Sequence, residues 1–496
     1  MSGSENNKGQ RLAVVGAVIG VAVVLSWCDW RVAVTWSPDA SQGRHEIIDP
    51  VEDRNRSPAD LSNDVRRLRE RARGSPHEAE AAAASVNLTA ALAKLSEGEA
   101  DPRKLEAAVV EIRQEMTQWP QGAPPMPLAK LKMNLAGALL RLGEREPGTR
   151  RLKESVTESR EAIAIFLREN ATAEWAMATG GLAATLSALG EREEQGKSLL
   201  EAEDAIRAAL SVITREKDPM VWATSQQNLG GILLAINKRE PSPERAQEAI
   251  GALLEALKEK TRQRLPMEWA RTMNTLGFAR LSLGQATDTR SEIEMASKIF
   301  RDVLEVFTRE RVPLDWADAQ NNLSIALTML AHDDPTPKTA SEAVVSCREA
   351  LQERTRERGP LIWAMLQANL GRALALRADK AKSRKDLDAA INAFHAALEE
   401  RTVERDPLGW AVASKDLGNA LRDRARADGK PPCEAIATHL GSAHVIAKTA
   451  PAQIPALGRA LVADLALTPR ARPETCPNLD STAWADLAEL QEVADR

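Results

Sequence analysis

Primary amides recur along this chain at one interval. Asn87, Asn134, Asn228, Asn322 and Asn369 are separated by 47 residues or twice that, and Gln227, Asn274, Asn321 and Lys415 keep the same register one place earlier. An amide both donates and accepts hydrogen bonds, so a row of them suits the backbone of a peptide whose side chains vary. The same residues would also serve as fixed parts of a repeating framework, and the sequence leaves both readings open. Other arrangements that invite chemistry do not complete it. The stretch Gly190–Ser198 (GEREEQGKS) places five residues between its glycines and three glutamates where phosphate would sit, so it reads as a turn. His439 and His444 are five apart and do not share a helix face, and no HExxH, nucleophile elbow or paired CxxC occurs. Enzymatic activity, a cofactor and a metal are therefore not expected. Cys433 and Cys476 near the C-terminus either close a disulfide or remain two unpaired thiols.

The elements that carry the amides follow from the same interval. Trp175, Trp222, Trp269, Trp316, Trp363 and Trp410 are each 47 residues from the next, and Leu128 and Ala81 continue the series backward, giving eight copies without insertion. Such self-similarity marks stacked repeats. Numbered from the tryptophan site, apolar residues fall at +7, +11 and +14, as in Leu229, Leu233 and Ile236, and small residues at +8, such as Gly230, Gly277 and Gly371. That spacing makes one helix, A, with its small residues where a neighbour comes close. Proline at -3 (Pro125, Pro219, Pro266, Pro313, Pro360, Pro407), twice preceded by aspartate, starts it. A second helix, B, is read backward from the next tryptophan: Ala390, Ile391, Phe394, Ala397 and Leu398 precede Trp410 at i, i+3, i+4 spacing. The lengths expected are about 16 residues for A and about 20 for B. The tryptophans read as packing anchors between units. Arg215-Glu-Lys217, Arg309-Glu-Arg311 and Arg356-Glu-Arg358 read as the end of helix B, where cations favour the helix dipole, or else as a basic ridge for an acidic partner.

These units resemble the tetratricopeptide repeat family, whose pattern W-x2-L-G-x2-Y then A-x3-F is approached by Asn228-Leu229-Gly230, Leu233, Ala249, Leu253 and Ala256. The likeness covers Ala81 to about Ala425, with 47 residues per unit rather than the family's 34. The P-x2-W-A and T-R-E-R elements are similar to those of long-unit arrays in bacterial proteins. The resemblance implies an all-α fold, a right-handed superhelical solenoid of antiparallel helix pairs, whose helix A faces line a groove for a protein or peptide. It implies that Asn87, Asn134, Gln227, Asn228, Asn274, Asn321, Asn322, Asn369 and Lys415 would line that groove.

The net charge is -5 with the two signs interspersed, which gives no general case for nucleic acid. Tyrosine is absent and aromatics are 3% of residues, a helix-forming composition. The apolar run from Leu12, with Lys8 and Arg11 ahead of it, is expected to be an N-terminal transmembrane helix, with a cleaved signal peptide or a segment that does not insert as the alternatives, and Gly16 and Gly20 could bring two such helices together as a homo-oligomer. The expected organisation is a cytoplasmic tail at 1–11, a signal anchor at 12–28, a linker at 29–76, eight repeats at 77–428 and capping helices at 429–496. Of the caps, 433–448, 455–467 and 481–494 read as helices out of register. The protein so organised is expected to be an adaptor in the inner membrane with its repeats in the periplasm. Self-assembly without a peptide ligand, or a regulatory arm, are the alternatives.

Overall fold

The computed structural model describes residues 102–117, 119, 125–146, 148–193, 196–431, 433–449 and 476. The expected membrane anchor, the linker, the helix A of the first repeat with Asn87, and the segments 455–467 and 481–494 lie outside the described residues. Among the described residues every regular element is a helix, fifteen in all.

Helix B of the first repeat is α1 (Pro102–Thr117). Helix A and helix B then alternate: α2 (Pro125–Arg145), α3 (Arg150–Arg168), α4 (Thr172–Gly190), α5 (Lys197–Val212), α6 (Pro219–Arg239) and α7 (Pro243–Ala256). The alternation continues through α8 (Pro266–Thr287), α9 (Arg290–Leu304), α10 (Pro313–Leu330), α11 (Lys338–Glu353), α12 (Pro360–Ala381), α13 (Arg384–Glu400), α14 (Pro407–Ala427) and α15 (Cys433–Thr449). The described helices fall into two compact units. One comprises α1 to α6 with residues 248–264, and the other residues 242–247 with α8 to α15. In each unit every helix packs on the next, and successive helices A also touch one another.

The starts of helix A are as the prolines and aspartates require. Asp218 Oδ1 accepts from Val221 N at 3.1 Å and Asp406 Oδ1 from Gly409 N at 3.0 Å, each ahead of a proline in the first turn. Lengths differ from expectation: helix A runs to 21 residues in α2, α6 and α14 and 22 in α8 and α12, whereas α7 has only 14 and α9 15. The reason is the T-R-E-R element. It is a turn beyond helix B, closed by bonds such as Lys217 N to Thr214 O at 3.2 Å, rather than helix B's last turn. Its glutamates Glu216, Glu310, Glu357 and Glu404 sit below the usual carboxylate range, held there by backbone N–H groups and the hydroxyls of Thr214, Thr308, Thr355 and Thr402.

α15 lies where a helix out of the 47-residue register was expected, and its packing shows the size of the shift. It packs on α14 as α13 packs on α12 and α11 on α10. Its Ala435, Ile436 and His439 repeat Ala390, Ile391 and Phe394 at a spacing of 45, so a connection two residues shorter hid the register.

The contact that sets helix spacing is at +8. A Cβ on Gly277 or Gly371 would lie 2.6 Å from the ring of Phe300 or Phe394, and on Gly230 2.7 Å from Leu253. Helix B thus rests on bare backbone. At Gly180, by contrast, nothing comes closer than 3.9 Å. Gly371→Ala should lower the denaturant midpoint by an overpacking cost of about 1–3 kcal/mol. Gly180→Ala, with room for the methyl in mid-helix, should be neutral or stabilise by about 0.5–1 kcal/mol. Chemical denaturation of the two variants checks both, and equal effects would contradict the close contact.

Candidate functional site

The recurrent amides lie between successive helices A. Asn134, Gln227, Asn228, Asn321, Asn322, Asn369 and Lys415 are all buried, at 2–7% exposure, and Asn274 is partly exposed. The +6 amide of one repeat pairs with the +5 amide of the repeat before. Asn322 Nδ2 donates to Asn274 Oδ1 at 3.1 Å and Asn369 Nδ2 to Asn321 Oδ1 at 2.8 Å. Where the earlier +5 residue is Gly180 there is no side-chain acceptor for this pair; the Oδ1 of Asn228, an atom the pairing does not use, is buried without a hydrogen-bond partner. Gln227 instead accepts from Lys260 Nζ at 2.8 Å. For Asn274, Asn321, Asn322 and Asn369 these are contacts that a framework residue makes.

In the last repeats the amide row turns ionic. Arg372 donates from Nε to Asp416 Oδ2 at 2.5 Å and from Nη1 to Asn369 Oδ1 at 2.8 Å, and Lys415 Nζ stands 3.5 Å from Asp416 Oδ1. Burial pulls the Asp416 carboxyl upward, but Arg372 and Lys415 outweigh it and hold it below the ordinary carboxylate value. Arg401, 3% exposed, stands with its Nε 3.2 Å from Asp406 Oδ2, and burial draws its guanidinium down.

Sequence reasoning missed three sets of residues, the first holding the two helices of one repeat together and the other two holding repeat to repeat. Position -9 alternates between large apolar residues and cations: Phe166, Ile213 and Phe307 in some units, Lys260, Arg354 and Arg401 in others. Arg354 grips Asp318 with both Nε, at 3.0 Å, and Nη2, at 2.5 Å. Position +17 carries cations that donate to carbonyls at the end of the previous helix A or in the turn after it: Arg192 to Glu144 O at 3.1 Å and Gly148 O at 2.6 Å, Arg239 Nη2 to Gly190 O at 2.7 Å, Lys380 Nζ to His332 O at 2.9 Å. The third set runs along helix B, where Arg113, Arg160, Arg207 and Arg301 reach glutamates 41 residues on, Glu154, Glu201, Glu248 and Glu342. A cation recurring at +17, or an Arg with Glu 41 residues later, was a readable signal once the interval was known.

The tryptophans are anchors, as expected, but at the margin of the core. Trp175 and Trp222 pack with Ala176, Ala209, Ile213 and Val221, and each tryptophan is only partly buried. Their outer faces carry the T-R-E-R arginine. The guanidinium carbons of Arg215, Arg309 and Arg356 lie 6.0, 5.8 and 5.2 Å from the ring centres of Trp222, Trp316 and Trp363. The same arginines reach Glu259, Glu353 and Glu400 at 2.6 Å, each in the following repeat. The element lies beyond helix B, and these arginines tie the end of one repeat to both the tryptophan and the glutamate of the next.

The partly exposed residues of helix A differ from unit to unit. At +2 they include Arg271, paired with Asp315, and Asp318, paired with Arg354, and at +9 Phe278, Arg372 and Asn419. Among the described residues no cluster of three or more His, Cys, Asp or Glu could hold a metal ion, and no helix is long and apolar enough to cross a membrane.

No family model matches the chain, and no curated protein matches it. Among solved structures it is similar to BtubC (BKLC) from P. vanneervenii over 51% of this chain and 93% of that one, at 20% identity and a TM-score of 0.37. Yeast Tom70 is matched over 86% of this chain and 93% of that one, at 13% identity and a TM-score of 0.32. A circular tandem repeat protein of novel repeat topology is matched over 89% and 99%, at 16% identity and a TM-score of 0.25. The helical repeat is established by this chain's own packing.

Two outcomes are expected. Trp316→Ala should cost about 2–3 kcal/mol, below the 3–5 typical of a fully buried aromatic, because one ring face is open to Arg309; a loss under 1 kcal/mol in denaturation would contradict the anchor. The folded Asp416 carboxyl titrates below its unfolded value, so its stabilisation is present above the unfolded value and is lost as pH falls through the folded one. Asp416→Asn should destabilise at neutral pH by about 3 kcal/mol and flatten the acid limb of the stability curve below roughly pH 4. An unchanged acid limb would contradict the assignment.

Proposed function

We propose that this chain is a membrane-tethered scaffold of the tetratricopeptide type that holds another protein along its helix A row. One observation carries the reading. The amides that recur at 47 residues are buried, and Asn322 and Asn369 bind repeat to repeat, while position +9 of the same helices varies and is partly exposed at Phe278 and Asn419. A framework that repeats and a face that does not is how a stacked array presents a specific surface. The recognition residues are therefore Phe278 and Asn419, with the amides at +5 and +6 setting the spacing beside them. The tether is the apolar run at 12–28, and the repeats lie on the far side of the membrane from Lys8 and Arg11. The Cys433–Cys476 disulfide supports an oxidising compartment for them.

The test is site-specific photo-crosslinking in cells of the source organism, with a photoreactive residue at Phe278 or Asn419 and, as control, at exposed Val345 on helix B. The expected result is one partner adduct common to Phe278 and Asn419 and absent from Val345. Adducts only to a second copy of the chain, or equal yields from all three sites, would overturn the reading in favour of self-assembly.

A further inference from the structure

The described array ends on α15, and the face that a further repeat would use is buried there. In earlier repeats the +1 and +5 residues of helix A and the -13 residue of helix B receive the +3 residue of the next helix A. Ala364, Ala368 and Ala397 pack on Ala413 in this way, and Ala129, Met133 and Ala162 on Ala178. In the last pair the same three positions are Ala411, Lys415 and, with the shift in α15, Ser442. They are 0, 4 and 0% exposed, although no helix A follows α15 among the described residues. Left uncovered, all three would be open to solvent.

Helix B is tied at its start to a residue just past the end of the following helix A. Arg290 Nη1 donates to Asp333 Oδ2 at 3.0 Å, 43 residues on, and Arg384 Nη2 to Asp428 Oδ2 at 3.2 Å, 44 residues on. Cys433, the first residue of α15, is bonded to Cys476, 43 residues on, with the Cα atoms 5.3 Å apart, and Cys476 is fully buried. The disulfide therefore stands in the chain where the Arg–Asp tie stands in those repeats. α15 has 17 residues and is about 25 Å long, so residues 450–475 leave from its far end and return over its whole length. The sequence keeps step with that path. Pro455, Leu465 and Cys476 lie 48 residues after Pro407, Leu417 and Asp428, which are the proline that starts α14, its +7 leucine and the residue just past its end.

We propose that the face formed by Ala411, Lys415 and Ser442 is a docking surface for this chain's own residues 455–467, which act as helix A of a ninth repeat. A helix over 455–467 covers about 20 Å, enough for most of the return along α15. Leu461 stands at its +3 position, where Ala178 and Ala413 meet the preceding repeat in α4 and α14. The face is then closed to a second copy of the chain.

Two measurements on the full chain test this. Hydrogen exchange by mass spectrometry on the unaltered protein should find amides across 455–467 exchanging on the order of tenfold or more slower than an unstructured chain. Disulfide trapping with Ser442→Cys and Leu461→Cys, mapped on peptides under non-reducing conditions, should give a bond within one chain. Ser442→Cys with Arg459→Cys, two residues away and so on another side of the helix, should give on the order of tenfold less. The proposal is overturned if 455–467 exchanges at the unstructured rate in the unaltered protein, a result that does not depend on how the variants fold. It is also overturned if the two pairs trap equally, if neither pair traps, or if the bonds join two copies of the chain, which would make a second copy the occupant.

Discussion

A helix B side chain resting on the bare backbone of helix A is the contact on which the rest of the structure depends. Leu253 on Gly230, Phe300 on Gly277 and Phe394 on Gly371 bring the two helices of a repeat so close that no Cβ fits between them. That approach fixes where the loops leave the hairpin and so where the next helix A lies. The longer-range pairs fall within reach on this framework: amide to amide at 48 residues, arginine to glutamate at 41 or 44, a +17 cation to the preceding carbonyl. Most of these pairs are exposed ion pairs worth little singly. Their regularity gives register, while burial at the helix contacts gives stability.

Much of this was legible in the chain. The 47-residue interval, the proline starts, the small +8 residues and the i, i+3, i+4 stripe of helix B each name a physical requirement, and each is met where the sequence placed it. What failed did so for identifiable reasons. The T-R-E-R element was taken into helix B because arginine and glutamate are good helix formers. Its threonine instead closes a turn, and the next helix begins at the proline. α15 was set out of register because its connection is two residues short and because histidine and serine stand where phenylalanine and alanine had marked helix B.

The candidate site shows the limit of reading a single chain. Recurrence of Asn322 and Asn369 was as compatible with a ligand as with a framework, because either would hold the residue type fixed in every repeat. Geometry separates the two. An amide whose Nδ2 donates to another amide 48 residues away at 2.8 Å is engaged within the array, whereas Asn228 faces Gly180, which offers no side-chain acceptor. The search for recognition residues thus moves from positions that repeat to those that vary while partly exposed, such as Phe278 and Asn419. The functional proposal stands on that division of labour along one helix.

The most direct test of that division is a double-mutant cycle on Asn321 and Asn369, read by denaturation and by partner crosslinking at Phe278. If the amides are framework, Asn369→Ala costs about 1–3 kcal/mol by leaving Asn321 Oδ1 buried and unpaired. The two substitutions then show a coupling of at least about 0.5 kcal/mol, and crosslinking falls only as far as the folded fraction does. Substitutions that leave stability intact, show no coupling and yet abolish crosslinking would contradict the account and return those amides to the binding surface.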